Sequence, residues 1–472
     1  MHIILIGIAA PKFSRLMSHV QTQCGYRVSY IVSTLEDVKI LLREAVQPER
    51  IHFIDSLQSV PVATSDDLAY LSSLERPGVP TLHNMIRSDF VVSRLPYTTA
   101  VSYCAHMARN LQSLYGQLSP SVILAGHDRV LAAMSSAVAA EMSLAWYSLS
   151  FSVLPVGYVG VSERVVPDEL VPLSDMPESE LKETASVLLK EFEDRTLRAP
   201  AYISAHTFWR VIIKMGFHFK GAIKTLVRQY GADSDPYNAI SFWFMAKQYF
   251  RKRINLLRFP KSWFITEPPN QPYLLFGLHM QPESSIDVYA PFFANQLDTI
   301  EKMARAIPPT HKLLVKLHIS DADNYSRAQL KHLRDMPGVY LVLPTVWSRP
   351  FVERSAGLIV ISGTMGLEGA LLGKPVIALG RMAYASFPTV ARVGDLNDMP
   401  EVIRRQLAMP HPGREAIVAA YADYLSRFIC ATGPSATTQL DDWVTCDEPA
   451  NEERNGFVTF FRALEAQLSR QA

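Results

Sequence analysis

Apolar and polar positions follow one recurring order along this chain. Short apolar runs of strand length are followed by longer stretches in which apolar residues return every three or four positions. These are the periods of a buried strand and an amphipathic helix. Residues 2–10 read as a first strand, 12–23 as a helix stopped at Gly25, 26–32 as a strand, 35–45 as a helix and 50–54 as a strand. Residues 87–115 read as mostly helical, 121–125 as a strand, 130–143 as an alanine-rich helix, 146–153 as a strand and 155–167 as a loop. A polar helix over 177–195 follows. The same alternation resumes with strands at 273–278, 312–317, 339–343, 358–361 and 375–379, and helices at 291–306, 326–336 and 365–372. Helices over 400–407, 413–428 and 455–469 close the chain. Strands alternating with helices of this length predict an α/β fold built on parallel sheets.

The pattern breaks between Ile203 and Phe264. That stretch carries eleven lysines and arginines and only two acids, Asp233 and Asp235, with aromatic residues interleaved. Arg210, Lys214, His218, Lys220, Lys224 and Arg228 fall on one face of a helix. This basic amphipathic segment reads either as a dock for an anionic membrane face or as a helical subdomain with a solvated cationic side. The polar run Glu267-Pro-Pro-Asn-Gln-Pro272 reads as an interdomain linker. The domains expected are therefore 1–175, 176–266 (the helical basic segment), 267–408, and 409–472 as terminal helices packing back across the domains.

Composition narrows the class. The chain has 472 residues, 48% of them hydrophobic and 19% charged, with a net charge of +1. It can bury large cores, and its balanced charge gives no nucleic-acid signal. Cys24, Cys104, Cys430 and Cys446 make no CxxC pair, which suits a reducing compartment. The N-terminal run MHIILIGIAAPKF lacks a basic n-region and reads as a core strand, not a signal peptide. The longest uncharged run, between Glu141 and Glu163, contains Pro155, Gly157 and Gly160. It is read as a helix end, a buried strand and a loop, so no membrane-spanning helix is expected.

Candidate chemistry clusters where strands end, which is where ligands gather in open α/β sheets. Ser362-Gly363-Thr364 lies between an apolar strand and a helix, and Glu368 sits one turn into that helix. Free backbone N–H groups and the positive helix end make an anion site, and a carboxylate at Glu368 can accept ribose hydroxyls. Ordinary turn chemistry is the plainer reading. His279, Gln281, Glu283, Ser284 and Ser285 follow strand 273–278 and can orient a sugar and move protons, or form a polar loop that caps a helix. Lys316 and His318 end another strand of the same sheet, placed to neutralise donor charge or simply at a solvated edge. Asp128, beside His127, reads equally as an acid/base or nucleophile and as a helix N-cap. No acidic Asp-x-Asp pair of the metal-binding kind is present among these, and no metal or cofactor is expected.

The runs FGLHMQPESSIDVYAPFFANQLDTI, LLVKLHI and ISGTMGLEGALLGKPVIALG together resemble the bacterial capsule and surface-polysaccharide biosynthesis proteins. Those are similar to β-Kdo transferases of capsule export and other GT-B glycosyltransferases. SVILAGHDRVLAAMSSAVA and LAWYSLSFSVLPVGYVG extend the resemblance into the first domain, so that it covers most of the chain outside the basic segment and the last helices. The resemblance implies two Rossmann-like domains facing each other across a cleft, with the basic segment as an insertion and the C-terminal domain binding a nucleotide sugar. It implies His279, Gln281 and Glu283 as the QPE site and His318 as the histidine of a Lys-x-His-Pro motif. It also implies Ser362, Gly363, Thr364 and Glu368 as the nucleotide-binding unit. The chain departs from the family pattern at Ile319, where the motif has proline, and at Gly126-His127-Asp128, where a glutamate is usual.

The activity so implied is transfer of a sugar from a nucleotide-sugar donor, of which CMP-Kdo is one kind, to a glycan or glycolipid acceptor. Asp128, Glu283 and His279 would be catalytic. Gln281, Lys316, His318, Ser362, Gly363, Thr364 and Glu368 would hold the donor. The setting would be cytoplasmic, at the inner face of the plasma membrane. Two other readings stay open: a UDP-sugar 2-epimerase-like enzyme, and a non-catalytic partner in capsule assembly or export.

Overall fold

The computed structural model describes all residues except 55–59, 127–128, 198–241, 320, 432–446 and 472. The described residues fall into two compact units. One holds Met1–Pro177 and the segment from Leu425 onward. The other holds the helix Glu178–Glu193 and the segment ending at Tyr424.

The first unit is built on a seven-stranded sheet. Its strands are β1 (His2–Ile6), β2 (Arg27–Val32), β3 (Ile51–Phe53), β4 (Val122–Ala125), β5 (Trp146–Phe151) and β6 (Tyr158–Ser162). The seventh comes from the far end of the sequence and pairs with β6. β3-β2-β1-β4-β5 are parallel, with β6 antiparallel to β5 at one side. Every residue of β4, and all but His2 in β1, is buried. That explains the continuous apolar runs, since parallel strands covered on both faces have no polar side.

The second unit has its own seven-stranded sheet, in which every pair is parallel. It contains β7 (Phe264–Ile265), β8 (Tyr273–Gly277), β9 (Lys312–Lys316), β10 (Val339–Val342), β11 (Gly357–Val360), β12 (Val376–Ala378) and β13 (Val390–Arg392). Their order is β13-β12-β11-β8-β9-β10-β7. After β7 at the edge, the chain enters the middle with β8, moves one way to β9 and β10, then returns across β8 to β11, β12 and β13. The carboxyl ends of β8, β9 and β11 therefore flank a topological switch point, where α/β sheets bind ligands.

The structure revises several expected boundaries. Residues 155–167, read as a loop, contain β6, because Gly160 lets the backbone of Arg427 and the Phe428 ring approach closely. The polar run 267–272, read as an interdomain linker, joins β7 to β8 inside one sheet. The second unit thus begins before it, and the helix Phe242–Leu257 belongs there too. The terminal segment divides: helix Arg414–Leu425 lies almost wholly in the second unit, while β14 (Ile429–Cys430) and helix Asn451–Gln471 complete the first. β14 pairs antiparallel with β6, and the last helix buries Phe457, Phe460, Phe461 and Leu464 against the first unit's core. The rest of the basic segment, 203–241, lies outside the described residues.

Candidate functional site

The site is organised by β8, β9 and β11. Phe276 of β8 is in register with Val315 and with Ile359, and Gly277 with Lys316. Continuing that register by two residues brings His279, His318 and Ser362 to one level above the sheet. The first polar residues after β8 and β11, and those at and after the end of β9, are thereby gathered at one edge of the sheet.

The β8 loop is held from below. Gln296, 3% exposed at the start of helix Gln296–Ala306, accepts the His279 backbone N–H at 2.7 Å. It donates to the His279 carbonyl at 3.0 Å and to Gln281 Oε1 at 3.1 Å. Gln281 donates in turn to Asp287 at 2.8 Å, and Asp287 accepts the Glu283 N–H at 2.9 Å. Buried amides with complete partners of this kind fix one geometry, because an unpaired one is costly. Gln296 and Asp287 were not singled out in the sequence. Their contribution needs a fold that brings a residue fifteen positions downstream of Gln281 back under it.

His279 is buried, with Nδ1 3.2 Å from Ser285 Oγ and 3.7 Å from Glu283 Oε2. Burial acts to raise the Glu283 carboxyl, but the His279 and His318 imidazoles and the Ser285 hydroxyl outweigh it and hold the group below its ordinary value. Glu283 is thus a carboxylate at neutral pH, facing two imidazoles, and its chemistry is that of a base or an orienting acceptor.

The β11 loop meets the same imidazole. Gly363 lies so close to His279 that a Cβ there would stand 3.2 Å from Cε1 and 3.3 Å from Nε2. The Ser362 hydroxyl donates to the Ser285 carbonyl, joining the β11 loop to the β8 loop. Gly363 is the N-cap of helix Thr364–Leu371 and supplies no side-chain cap. The amino end of that helix is therefore left with backbone donors beside His279, an arrangement that attracts anions. Tyr384 pins the turn by donating to the Gly363 carbonyl at 2.6 Å.

Lys316 and Glu368 form a lower layer. Lys316 is buried, donates to the Pro344 carbonyl at 3.1 Å, and is pushed down to about 8 by burial, against the attraction of Glu368. Glu368 is half-buried and pushed up to about 7 by burial, opposed by Arg349 and Lys316. Arg349, 5% exposed, is held by Glu353 at 2.8 Å. Of the residues singled out in the sequence, His279, Gln281, Glu283, Ser362 and Gly363 share one cradle of close contacts. His318 faces Glu283, Thr364 begins the helix, and Lys316 and Glu368 attract each other electrostatically.

In the first unit, Asp128 lies outside the described residues. Among the described residues, Asp89, 4% exposed, accepts the Val130 N–H at 2.9 Å and the Val91 and Val92 N–H groups at 2.8 Å. Asp89, which the sequence did not mark, thus caps an N–H group at the start of helix Arg129–Glu141.

Comparison with known proteins adds the following. Residues 237–406 match the family model described as capsule polysaccharide biosynthesis protein. The match begins inside the basic segment and ends before the terminal segment, from Leu425 onward, that joins the first unit. No curated protein matches the chain. Among solved structures, the Thermosulfurimonas dismutans KpsC β-Kdo 2,4-transferase is similar at 15% identity and a TM-score of 0.37. That match covers 64% of this chain and 79% of that one. UDP-GlcNAc 2-epimerase from Neisseria meningitidis, bound to UDP-GlcNAc, is similar at 11% identity and a TM-score of 0.29, over 99% of this chain and 100% of that one. The stretch 237–406, which holds the second sheet and every candidate site residue except Asp128, is thus similar to the capsule polysaccharide biosynthesis proteins.

Proposed function

We propose that the protein is a glycosyltransferase of capsule polysaccharide biosynthesis, taking its sugar from a nucleotide-sugar donor held by the second unit. One observation carries this reading. The loops after β8 and β11 are tied by Ser362 and Ser285 so that a helix amino end, Gly363 and the His279 imidazole converge, within a capsule-biosynthesis segment. The donor's phosphate would lie against the N–H groups opening helix Thr364–Leu371, where the absence of a Cβ at Gly363 admits it. As the sugar–phosphate bond breaks, charge grows on the leaving phosphate, and oriented donors are most effective there. His318 and Lys316 would add positive charge. Glu283, ionised and aligned by Asp287, would orient the sugar with Gln281 and His279. Glu368 would hold the nucleotide ribose, and Asp128 would act from the first unit, the proposed acceptor domain. With the helix end and Lys316 supplying positive charge, transfer would need no metal and would persist in EDTA.

The test is a panel of nucleotides in thermal denaturation followed by a labelled-donor assay. A ligand at about 100 times its Kd stabilises the folded state by about 2.7 kcal/mol. Stabilisation by CMP or by UDP selects the donor class. Stabilisation by none, or transfer unaffected by Glu283→Ala, removes the reading. Conversion of a nucleotide sugar without an acceptor assigns an epimerase instead.

The helix Phe242–Leu257 has a proposed second role, docking on an anionic membrane face. Phe250, Ile254 and Leu257 are 65%, 50% and 87% exposed and share a face by their four- and three-residue spacing, with exposed Lys247, Arg251 and Arg258 nearby. No helix among the described residues is long and apolar enough to cross a membrane. Flotation with vesicles containing anionic lipid tests this: binding at low salt is expected, and its loss in Leu257→Glu. Absence of binding by the unaltered protein refutes the docking role.

A further inference from the structure

The turn after β9 contains a buried carboxylate that the donor-site reading does not use. Asp321 is 2% exposed. Its own N–H bonds to the His318 carbonyl at 3.1 Å, so it closes the turn that carries His318. Its carboxylate accepts the Gln281 backbone N–H and the Asn324 side-chain amide. Asn324 also donates to the Gln281 carbonyl at 3.4 Å. Asp321 thus joins the His318 loop to the loop of Gln281 and Glu283.

The third partner comes from the basic helix. Lys252 Nζ stands 3.8 Å from Asp321 Oδ1 and 3.7 Å from Asp323 Oδ1. The latter oxygen is buried, with no hydrogen-bond partner among the described residues. Asn255, one turn further along, donates to the Asp323 carbonyl at 2.9 Å. The helix that exposes Phe250 and Leu257 is therefore fastened, through Lys252 and Asn255, to the turn that orients two donor-site loops.

We propose that Asp321 is a positioning residue that latches the His318 loop to the Gln281–Glu283 loop, and that Lys252 of the basic helix compensates its buried charge. The helix seat then controls how firmly both loops are held. The consequence for donor binding rests on the donor-site reading above; the latch itself does not. The charged or titratable groups facing Asp321 are Lys252, Asp323 and Tyr325. Burial first, then Asp323, pushes the Asp321 carboxyl up to about 7 against the pull of Lys252. A group raised in the closed state favours closure below its ordinary range and loses that contribution as pH rises through about 7. The latch is thus tightest when Asp321 is neutral, and Lys252 is what holds it once the carboxylate ionises.

Hydrogen–deuterium exchange of the peptides over 279–287 and 316–326, corrected for intrinsic rates, reads this directly. In the unaltered protein, protection of both peptides falls as pH rises through about 7. In Lys252→Gln the fall continues to higher pH, and at pH 8 both loops exchange about tenfold faster, the scale of one unit of lost charge compensation. Asp321→Asn removes the pH dependence. The double variant, in which Asp321 carries no charge and only the partly exposed Asp323 carboxylate loses its cation, recovers protection to within about threefold of the unaltered protein. Lys252→Gln with both loops unchanged overturns the proposal. So does a double variant as loose as Lys252→Gln, because a merely structural role for Lys252 would not be rescued at Asp321. Nucleotide stabilisation measured on the same proteins separates the two readings. If no nucleotide stabilises the unaltered protein, the donor assignment fails, while the exchange data still decide the latch.

Discussion

Gly363 shows how much one missing Cβ decides. Its contact with His279 leaves no room for a side chain that would also spare the imidazole's approach to Ser285 and Glu283. Gly363→Val is expected to displace His279 and abolish the stabilisation by nucleotide that the proposed function requires. The global melting temperature should change by only a few degrees, because the position is half-buried at the rim of the sheet. Glu368 makes a pH-dependent prediction. Its folded value, raised to about 7, lies above its ordinary one. It therefore contributes stability that is present below its ordinary range and lost as pH rises through about 7. Glu368→Gln removes that loss. The variant should gain on the unaltered protein between pH 5 and pH 7.5, by on the order of 2 kcal/mol in denaturant titrations. An unchanged difference across that range would mean that Arg349 and Lys316 neutralise the carboxylate fully. The sequence placed His279, Glu283, Ser362 and Gly363 correctly at strand ends. It did not disclose Gln296, Asp287, Arg349 or Asp321, because their roles depend on which distant loop passes beside them.

At the level of elements, helix Thr364–Leu371 has to lie close against β11 and β12 for its amino end to meet His279. Gly369 is what allows it. A Cβ there would run into Leu358 Cδ1 and stand 3.3 Å from Val376 Cγ2. Gly369→Val should cost about 1–3 kcal/mol by overpacking and should also tilt the helix off the sheet. Loss of nucleotide stabilisation beyond the drop in melting temperature would report that tilt. The helix was legible in the sequence because Gly373 and Pro375 stop it and its flanking strands are wholly apolar. β6, β7, β13 and β14 were not. They are two to five residues long, and strands so short become strands only when a neighbour offers its edge.

For the whole molecule, the chain's last described helix is the informative part. Helix Asn451–Gln471 packs on helix Pro11–Cys24, with Phe457 meeting Phe13 edge-on at 5.9 Å between ring centres. Lys12 reaches Glu453 at 2.7 Å, and Tyr26 donates to Glu465 at 2.5 Å. The first unit is thus completed by residues more than 400 positions away from its opening strand. Residues 1–177 expressed alone are expected to stay unfolded, as read by limited proteolysis and near-ultraviolet circular dichroism. In the full chain Phe460→Ala, at a position fully buried in that core, should cost about 3–5 kcal/mol. A cooperative, protease-resistant 1–177 fragment would show that the last helix is an accessory.

What the sequence determined by itself is the periodic content: which runs are apolar enough to be buried strands, where helices stop, and which polar residues first follow a strand. These follow from local chemistry, so α/β architecture and the carboxyl-end loops could be read directly. What only tertiary structure decided is adjacency. It put β8 between β9 and β11, which levels His279, His318 and Ser362, and it fastened the basic helix to Asp321. It also returned the chain end to the first unit. Those depend on strand order and on which surfaces bury each other, and neither leaves a mark in any single stretch of residues.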